Sequence, residues 1–408
     1  MSDLPVTIEN TRQTTQPTTR SVLLAEPWFG GSHRQWAEGW AATSSHRVTI
    51  LGHEANFWRW RLRGGAVTLA EEIRTHIDEH GAPDVLVISA MVDIAALVGL
   101  CRAQLGGVPV IGYFHENQLT YRSDPGHTVP VEAAMTNWVS AQACDEVWFN
   151  SAFHRDSFLG ALPEFLERQP DHRHTHMIAE LASRAVVMPV GVDLGAFRAA
   201  RGSRDPGMES GDPPRIVWNQ RWDHDKCPEV FFRVLRHLAG EGIAFTVALA
   251  GENRRSDPQE FRRFVDSYPD RVEEHGYLGP SEYVALLGRS DVVCSTALQE
   301  FFGISVVEAI AAGAIPLLPH RLAYPEVIPA EFHPEVLYVA QAPDVGDDPA
   351  TLTGRLRRVL TNLEAARRAV AGLAETMDRF DWSDVAPRYD VGIDELFRRC
   401  SAADTLKP

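Results

Sequence analysis

DVLVISAMVDIAALVGLCRAQLGGVPVIGYF, residues 84–114, decides the architecture. Residues 84–89 open with an unbroken apolar run, the mark of a short strand buried on both faces. Residues 94–104 follow with the pattern of a helix, and residues 109–114 are a second apolar run. The same alternation extends outward in both directions. Upstream lie a strand at 21–25, a helix at 35–42, a strand at 48–51 and a helix at 67–80. Downstream lie a helix at 133–143 and strands at 146–150 and 185–189. Strands alternating with helices imply a parallel sheet covered on both faces.

Residues 202–214, GSRDPGMESGDPP, interrupt this series with Gly, Pro, Ser and Asp, the composition of a linker. The alternation then restarts. Strands are expected at 215–219, 244–250, 272–276, 291–295 and 315–318. Helices are expected at 228–239, 281–288, 303–312, 352–380 and 385–399. The chain therefore reads as α/β, two Rossmann-like doubly wound domains facing across a cleft. The expected division is a disordered leader at 1–20, an N-terminal acceptor-side domain at 21–200, a linker at 201–214, a nucleotide-sugar-binding domain at 215–380 and a C-terminal helix and tail at 381–408.

The bulk numbers agree with two cored domains. The chain has 408 residues, 44% hydrophobic and 23% charged. With 39 Lys plus Arg against 55 Asp plus Glu, the net charge is −16, so any nucleic acid must meet a local basic patch. The five cysteines, Cys101, Cys144, Cys227, Cys294 and Cys400, form no Cys-x-x-Cys pair. That argues against a disulfide framework or structural zinc and for a cytoplasmic location. The leader has no apolar block, and the stretch 85–100 is short and contains Asp93. No membrane association and no obligate protein partner are implied.

In such sheets ligands bind outside the carboxyl ends of the strands, and five segments there carry chemistry. ALQEFFGISVVEAI (297–310) places Glu300 in a loop and Glu308 one to two turns into a helix. The backbone N–H groups of Phe302, Gly303 and Ile304 would sit at that helix start, which suits a phosphate. A capped helix with a surface Glu would read the same way. WNQRWDHDKCPEVFF (218–232) puts Arg221 and Lys226 in a strand-to-helix loop. Two cations there would stabilise a departing diphosphate; a solvated loop is the plainer alternative. Asp223-His-Asp225 resembles a metal-binding Asp-x-Asp, but the adjacent cations already supply the charge, so no metal is expected. Asn219 and Gly251, at the ends of two strands, join the donor-binding set.

EPWFGGSH (26–33) carries Gly30 and Gly31, which permit close passage of a sugar or phosphate, or simply a tight turn. YFHENQLTY (113–121) crowds His115, Glu116, Asn117 and Gln118 after a strand. There His115 is expected to orient a transferred sugar, unless the loop is only capped and satisfied. FWRWRLR (57–63) interleaves Trp58 and Trp60 with Arg59, Arg61 and Arg63, as an RNA-contact patch or an amphipathic edge would. PDHRHTH (170–176), with Arg173, is the other place RNA could touch.

Taken together, these segments resemble the GT4 family of retaining GT-B glycosyltransferases: Glu300 and Glu308, the Arg221/Lys226 pair and the early glycine loop stand in that family's order. The resemblance implies that Glu308 holds the donor's ribose hydroxyls and that Glu300 lies against the donor sugar. EPWFGGSHRQ, FHENQL, FNSAFHRDSFL (149–159), PDHR (170–173), RWDHDKCPE (221–229) and LAYPEVIPAEF (322–332) are more closely similar to the tRNA-queuosine mannosyltransferases. That closer resemblance implies transfer of mannose from GDP-mannose to queuosine at the tRNA wobble position, with no further cofactor. It also implies a last helix, after Trp382, that crosses back to the first domain. A GT4 enzyme acting on a small or lipid-linked acceptor, and a non-catalytic nucleotide-sugar or RNA-binding protein, remain alternatives at this point.

Overall fold

Apolar runs bounded by turns become the central strands of two sheets in the computed structural model, which describes residues 6–9, 19–121, 131–202, 212–251, 259–340, 348 and 350–404. The chain divides into two units. One holds the described residues up to Tyr121, those from 131 to Val192, and Phe380 onward; the other holds Asp193–Arg379. The expected linker falls largely on 203–211, outside the described residues.

The first unit has strands β1 (Val6–Glu9), β2 (Ser21–Phe29), β3 (Arg47–Glu54), β4 (Val85–Ser89), β5 (Val110–Phe114), β6 (Glu146–Phe149) and β7 (Ala185–Val187). Their order is β1-β3-β2-β4-β5-β6-β7, parallel except for β1, which runs antiparallel to β3. The strand β1 corrects the expectation of a leader disordered through residue 20. Val6–Glu9 is too short to register as an apolar block, but β3 offers it an unpaired edge of backbone groups. The second unit has β8 (Arg215–Trp218), β9 (Thr246–Ala250), β10 (Val272–Gly276), β11 (Val292–Cys294), β12 (Ile315–Pro319) and β13 (Leu337–Tyr338). All are parallel, in the order β10-β9-β8-β11-β12-β13. The order reverses beside β2 in the first sheet and beside β8 in the second. Loops diverge at such switch points and leave room for a ligand.

Each unit has its own core. Leu23, Leu86, Ile88, Phe114 and Phe149 anchor the first, and Trp218, Phe231, Leu249 and Leu317 the second. Two helical expectations change. Helix Trp58–His80 starts well before residue 67, because the Trp/Arg segment forms its first turns with Leu62 facing inward. The expected helix over 352–380 is three pieces, Leu352–Thr361, Leu363–Ala369 and a 3-10 stretch Ala374–Phe380. Asn362 caps the second piece, and Gly372 takes φ +88°.

Helix Trp382–Asp404 packs within the first unit although 187 residues of the other unit, Asp193–Arg379, precede it in the chain. The Trp382 indole fills a slot that only glycine allows: a Cβ at Gly39 would lie 2.0 Å from its Nε1, and one at Gly191 2.3 Å from its Cδ2. Farther along, Asp390 accepts from the Ser44 hydroxyl at 2.6 Å and from the Ser45 amide and hydroxyl at 2.7 Å. Tyr389 accepts from Trp36 Nε1 at 3.1 Å and donates to Pro189 O at 2.8 Å. Replacing Trp382 by Ala is expected to destabilise the first unit by about 3–5 kcal/mol. Urea denaturation checks this, and a loss below about 1 kcal/mol would mean the helix is not anchored by that ring.

Candidate functional site

The second unit gathers its polar side chains at the carboxyl ends of β8 and β11. The loop after β8 takes a single 3-10 turn, His224–Lys226, and Cys227 then adopts a left-handed φ of 49° before Pro228 opens the next helix. That loop is pinned to the one after β11. Leu298 N donates to Asp225 O at 2.7 Å, and the Thr296 hydroxyl lies 2.8 Å from Lys226 O. Between the loops sits the Lys226 ammonium. It donates to Gln299 O at 2.8 Å and Glu300 Oε2 at 3.1 Å, and lies 3.3 Å from Asp225 Oδ2. Burial alone would lower the Lys226 pKa, but the Glu300 and Asp225 carboxylates overrule it and hold the pKa above the ordinary lysine value.

Glu300 leads to Gly303, whose φ of +100° admits only glycine comfortably and which caps helix Ile304–Ala311. Glu300 Oε1 accepts from the Phe302 amide at 3.4 Å. The amides of Gly303 and Ile304 lack intrahelical partners by position. One turn on, Glu308 is buried. Tyr283 donates to its Oε2 at 2.8 Å, and Asn219 Nδ2 lies 3.0 Å from the Tyr283 oxygen and 2.7 Å from Ser305 O. Burial raises the Glu308 pKa to about 7, against the opposing Tyr283 hydrogen bond.

Not every expected residue joins this cluster. Arg221 stands outside it, with its side chain 59% exposed and Nη1 4.0 Å from Asp223. Gly251 is glycine because a Cβ there would meet Gln220 O at 2.0 Å, a backbone contact rather than a ligand's approach. Tyr283, Gln299 and Tyr324 were not legible beforehand; Tyr324 lies 2.6 Å from the Ser295 hydroxyl and adds to the field on Lys226.

The first unit builds a second cluster at the ends of β2 and β5. Glu26 is fully buried. Its Oε1 accepts from Trp28 N at 2.8 Å and lies 3.2 Å from His33 Nδ1; its Oε2 lies 3.7 Å from His115 Nε2. The His33 and His115 ring centroids are 4.0 Å apart, and Trp36 meets His115 edge-on at 4.5 Å. Burial, then the fields of His33 and His154, hold the His115 pKa well below the ordinary imidazole value. Glu26 and His33 lie inside the quoted EPWFGGSH string, where only the glycines drew attention. Gly30 is required by Ala55, whose Cβ would stand 2.6 Å from an added Cβ, whereas Gly31 is required by its φ of +51°.

The residues expected to face tRNA separate into two groups. Asn117 is fully buried, accepts from the Thr120 amide at 2.9 Å and shapes its own loop. Gln118, 7% exposed, donates its amide to Asn137 Oδ1 at 2.6 Å and its Nε2 to Glu116 Oε1 at 3.0 Å, so it too is committed to the loop. By contrast Arg59, Trp60 and Arg173 are exposed and Trp58 half-buried, with the Arg59 guanidinium 4.8 Å from the Trp58 ring centroid. Arg61 turns inward, its Nη1 3.3 Å from His53 Nδ1. No helix among the described residues is long and apolar enough to cross a membrane.

Comparison with known proteins agrees with this layout. A family model described as tRNA-queuosine alpha-mannosyltransferase N-terminal matches residues 21–192. One described as glycosyl transferases group 1 matches 203–369. A tRNA-queuosine alpha-mannosyltransferase of Drosophila melanogaster is 32% identical over 316 residues, 76% of this chain and 82% of that protein. Among solved structures, sucrose-phosphate synthase of Thermosynechococcus elongatus superposes with TM-score 0.65 at 16% identity, covering 94% of this chain and 100% of that one. HepE of Anabaena in complex with UDP gives 0.63 at 12%, covering 92% and 100%. The fold is thus the two-domain GT-B architecture.

The raised Glu308 pKa has a measurable sign. A carboxyl lifted from 4.5 to about 7 favours the folded state fully below pH 4.5, and that contribution is lost as pH rises toward 7. The expected loss is on the order of 3 kcal/mol. In Glu308→Gln that part of the pH dependence is absent. Urea unfolding of both proteins between pH 4.5 and 8 checks it; identical profiles would refute the shift.

Proposed function

Because the chain belongs to the tRNA-queuosine alpha-mannosyltransferase family, we propose that it transfers mannose from GDP-mannose to the cyclopentenediol of queuosine at the tRNA wobble position, with retention of configuration. The observation that supports this most is its kinship, over most of both chains, with an enzyme so named.

The second unit takes the donor. Glu308, held by Tyr283 and Asn219, accepts from the ribose hydroxyls. The start of helix Ile304–Ala311, with Gly303, receives the diphosphate. Lys226 fixes Glu300 against the hexose, and exposed Arg221 folds onto the diphosphate as negative charge grows on the leaving group. Charge separates in an oxocarbenium-like transition state, and a diphosphate oxygen takes the acceptor's proton.

The acceptor tRNA meets the exposed turns of helix Trp58–His80 and Arg173. Bases stack on Trp58 and Trp60 while Arg59 neutralises phosphate. The chain's net charge of −16 disfavours RNA elsewhere on average and favours a local basic patch as its place of contact. All five cysteines are free thiols, three of them buried, which suits a reducing cytoplasm.

Queuosine-containing tRNA incubated with the protein and GDP-mannose, UDP-glucose or UDP-galactose, then digested for nucleoside mass spectrometry, decides the reading. Hexose is expected on queuosine with GDP-mannose alone; no hexose with any donor overturns the proposal. Lys226→Ala is expected to lower kcat by about 100- to 1000-fold, and unchanged turnover would remove Lys226 from the donor site.

A further inference from the structure

Glu26 poses a problem of charge that the proposed reaction does not answer. It is 0% exposed in the middle of the first unit. A buried carboxylate is costly unless a counter-charge and hydrogen bonds compensate it. Among the described residues, its ion-pairing neighbours within 4.0 Å are the imidazoles of His33 and His115, not a lysine or arginine. Its Oε2 and the Nε2 of His115 are both buried without a hydrogen-bond partner among the described residues. They face each other at 3.7 Å, too far for a hydrogen bond.

That spacing fits an ion instead. One ligand atom each from Glu26, His33 and His115 lie within 4.8 Å of one another. Legs of about 2.0–2.1 Å in tetrahedral geometry set ligand atoms about 3.3 Å apart. The two histidines approach the two oxygens of one carboxylate near that spacing, His33 Nδ1 3.2 Å from Oε1 and His115 Nε2 3.7 Å from Oε2. Three different elements supply the set: β2 gives Glu26, the first turn of helix Gly31–Thr43 gives His33, and the residue after β5 gives His115. The histidine side chains are 13% and 11% exposed, so one side of the cluster opens toward solvent.

We propose that Glu26, His33 and His115 form a divalent metal site, of the two-histidine, one-carboxylate kind that takes zinc and keeps its fourth position for an oxygen ligand. The ion supplies the positive charge that Glu26 lacks. Its open position meets a water or a substrate hydroxyl. This departs from the expectation that no metal is needed, which weighed Asp223-His-Asp225 and the five cysteines. The site itself does not depend on the mannosyl-transfer reading.

The test uses tag-free full-length protein, stripped with a chelator and titrated with Zn²⁺ against a chromophoric competitor. Co²⁺ serves as a spectroscopic probe in parallel. The expected result is one equivalent bound, with a tetrahedral cobalt spectrum lacking a thiolate charge-transfer band. Loss of a mere outer-shell partner weakens metal binding about 10- to 100-fold, so loss of a ligand is expected to weaken it at least about 100-fold. Glu26→Gln and His33→Ala should both show this while retaining the wild-type circular dichroism; His172→Ala, at an exposed histidine, should bind as wild type. Should Glu26→Gln fail to fold, His33→Ala decides, since His33 stands on the rim. No bound equivalent in wild type, or unchanged affinity in His33→Ala, overturns the site. Hexose transfer to tRNA is scored separately by mass spectrometry, so either proposal can fail alone.

Discussion

The buried ammonium of Lys226 is the interaction on which the second unit's chemistry depends. It ties the loop after β8 to the loop after β11 by meeting Gln299 O, Glu300 and Asp225 together. Those strands flank the point where the sheet order reverses. Without the ammonium, two carboxylates would face each other with little water to screen them, a worse outcome than losing one hydrogen bond. Its charge is thereby already matched within the cluster, so Lys226 acts on its surroundings chiefly by arranging the two loops.

Most of the architecture was readable because buried parallel strands need unbroken apolar runs, and each of the runs at 21–25, 84–89, 109–114 and 215–219 became a strand. Helix ends were less readable. Asn362 and Gly372 break a pattern that periodicity alone carries through to Phe380. Strand β1 escaped notice because its partner edge, not its own composition, makes it a strand. In the second unit's polar cluster, Glu300, Glu308, Lys226 and Asn219 stood in quotable strings. Tyr283 did not, since a tyrosine in a helix of mixed character announces nothing until Glu308 is beside it. Glu26 and His115 are joined only by the crossover that sets β2 near β5, which no local spacing encodes.

The glycines divide along the same line. Gly31 and Gly303 are dictated by backbone angle, a property that turn signals in sequence report. Gly30, Gly39 and Gly251 are dictated by what lies across from them: Ala55, Trp382 and Gln220 O. A sequence shows the first requirement and hides the second, so Gly30 and Gly251 suggested ligand approach where the constraint is internal packing.

The return of helix Trp382–Asp404 to the first unit sets an order for biosynthesis. A ribosome releases β2 through β7 long before Trp382 exists. Until then the faces that receive it, around Gly39, Gly191, Trp36 and Ser44, remain uncovered on the nascent chain. The early unit must wait, partly assembled, through the making of the whole later one. Chaperone demand should fall in that interval, and a premature stop between Tyr324 and Trp382 would strand an aggregation-prone half-built protein even though every residue of the Lys226 cluster had already been translated.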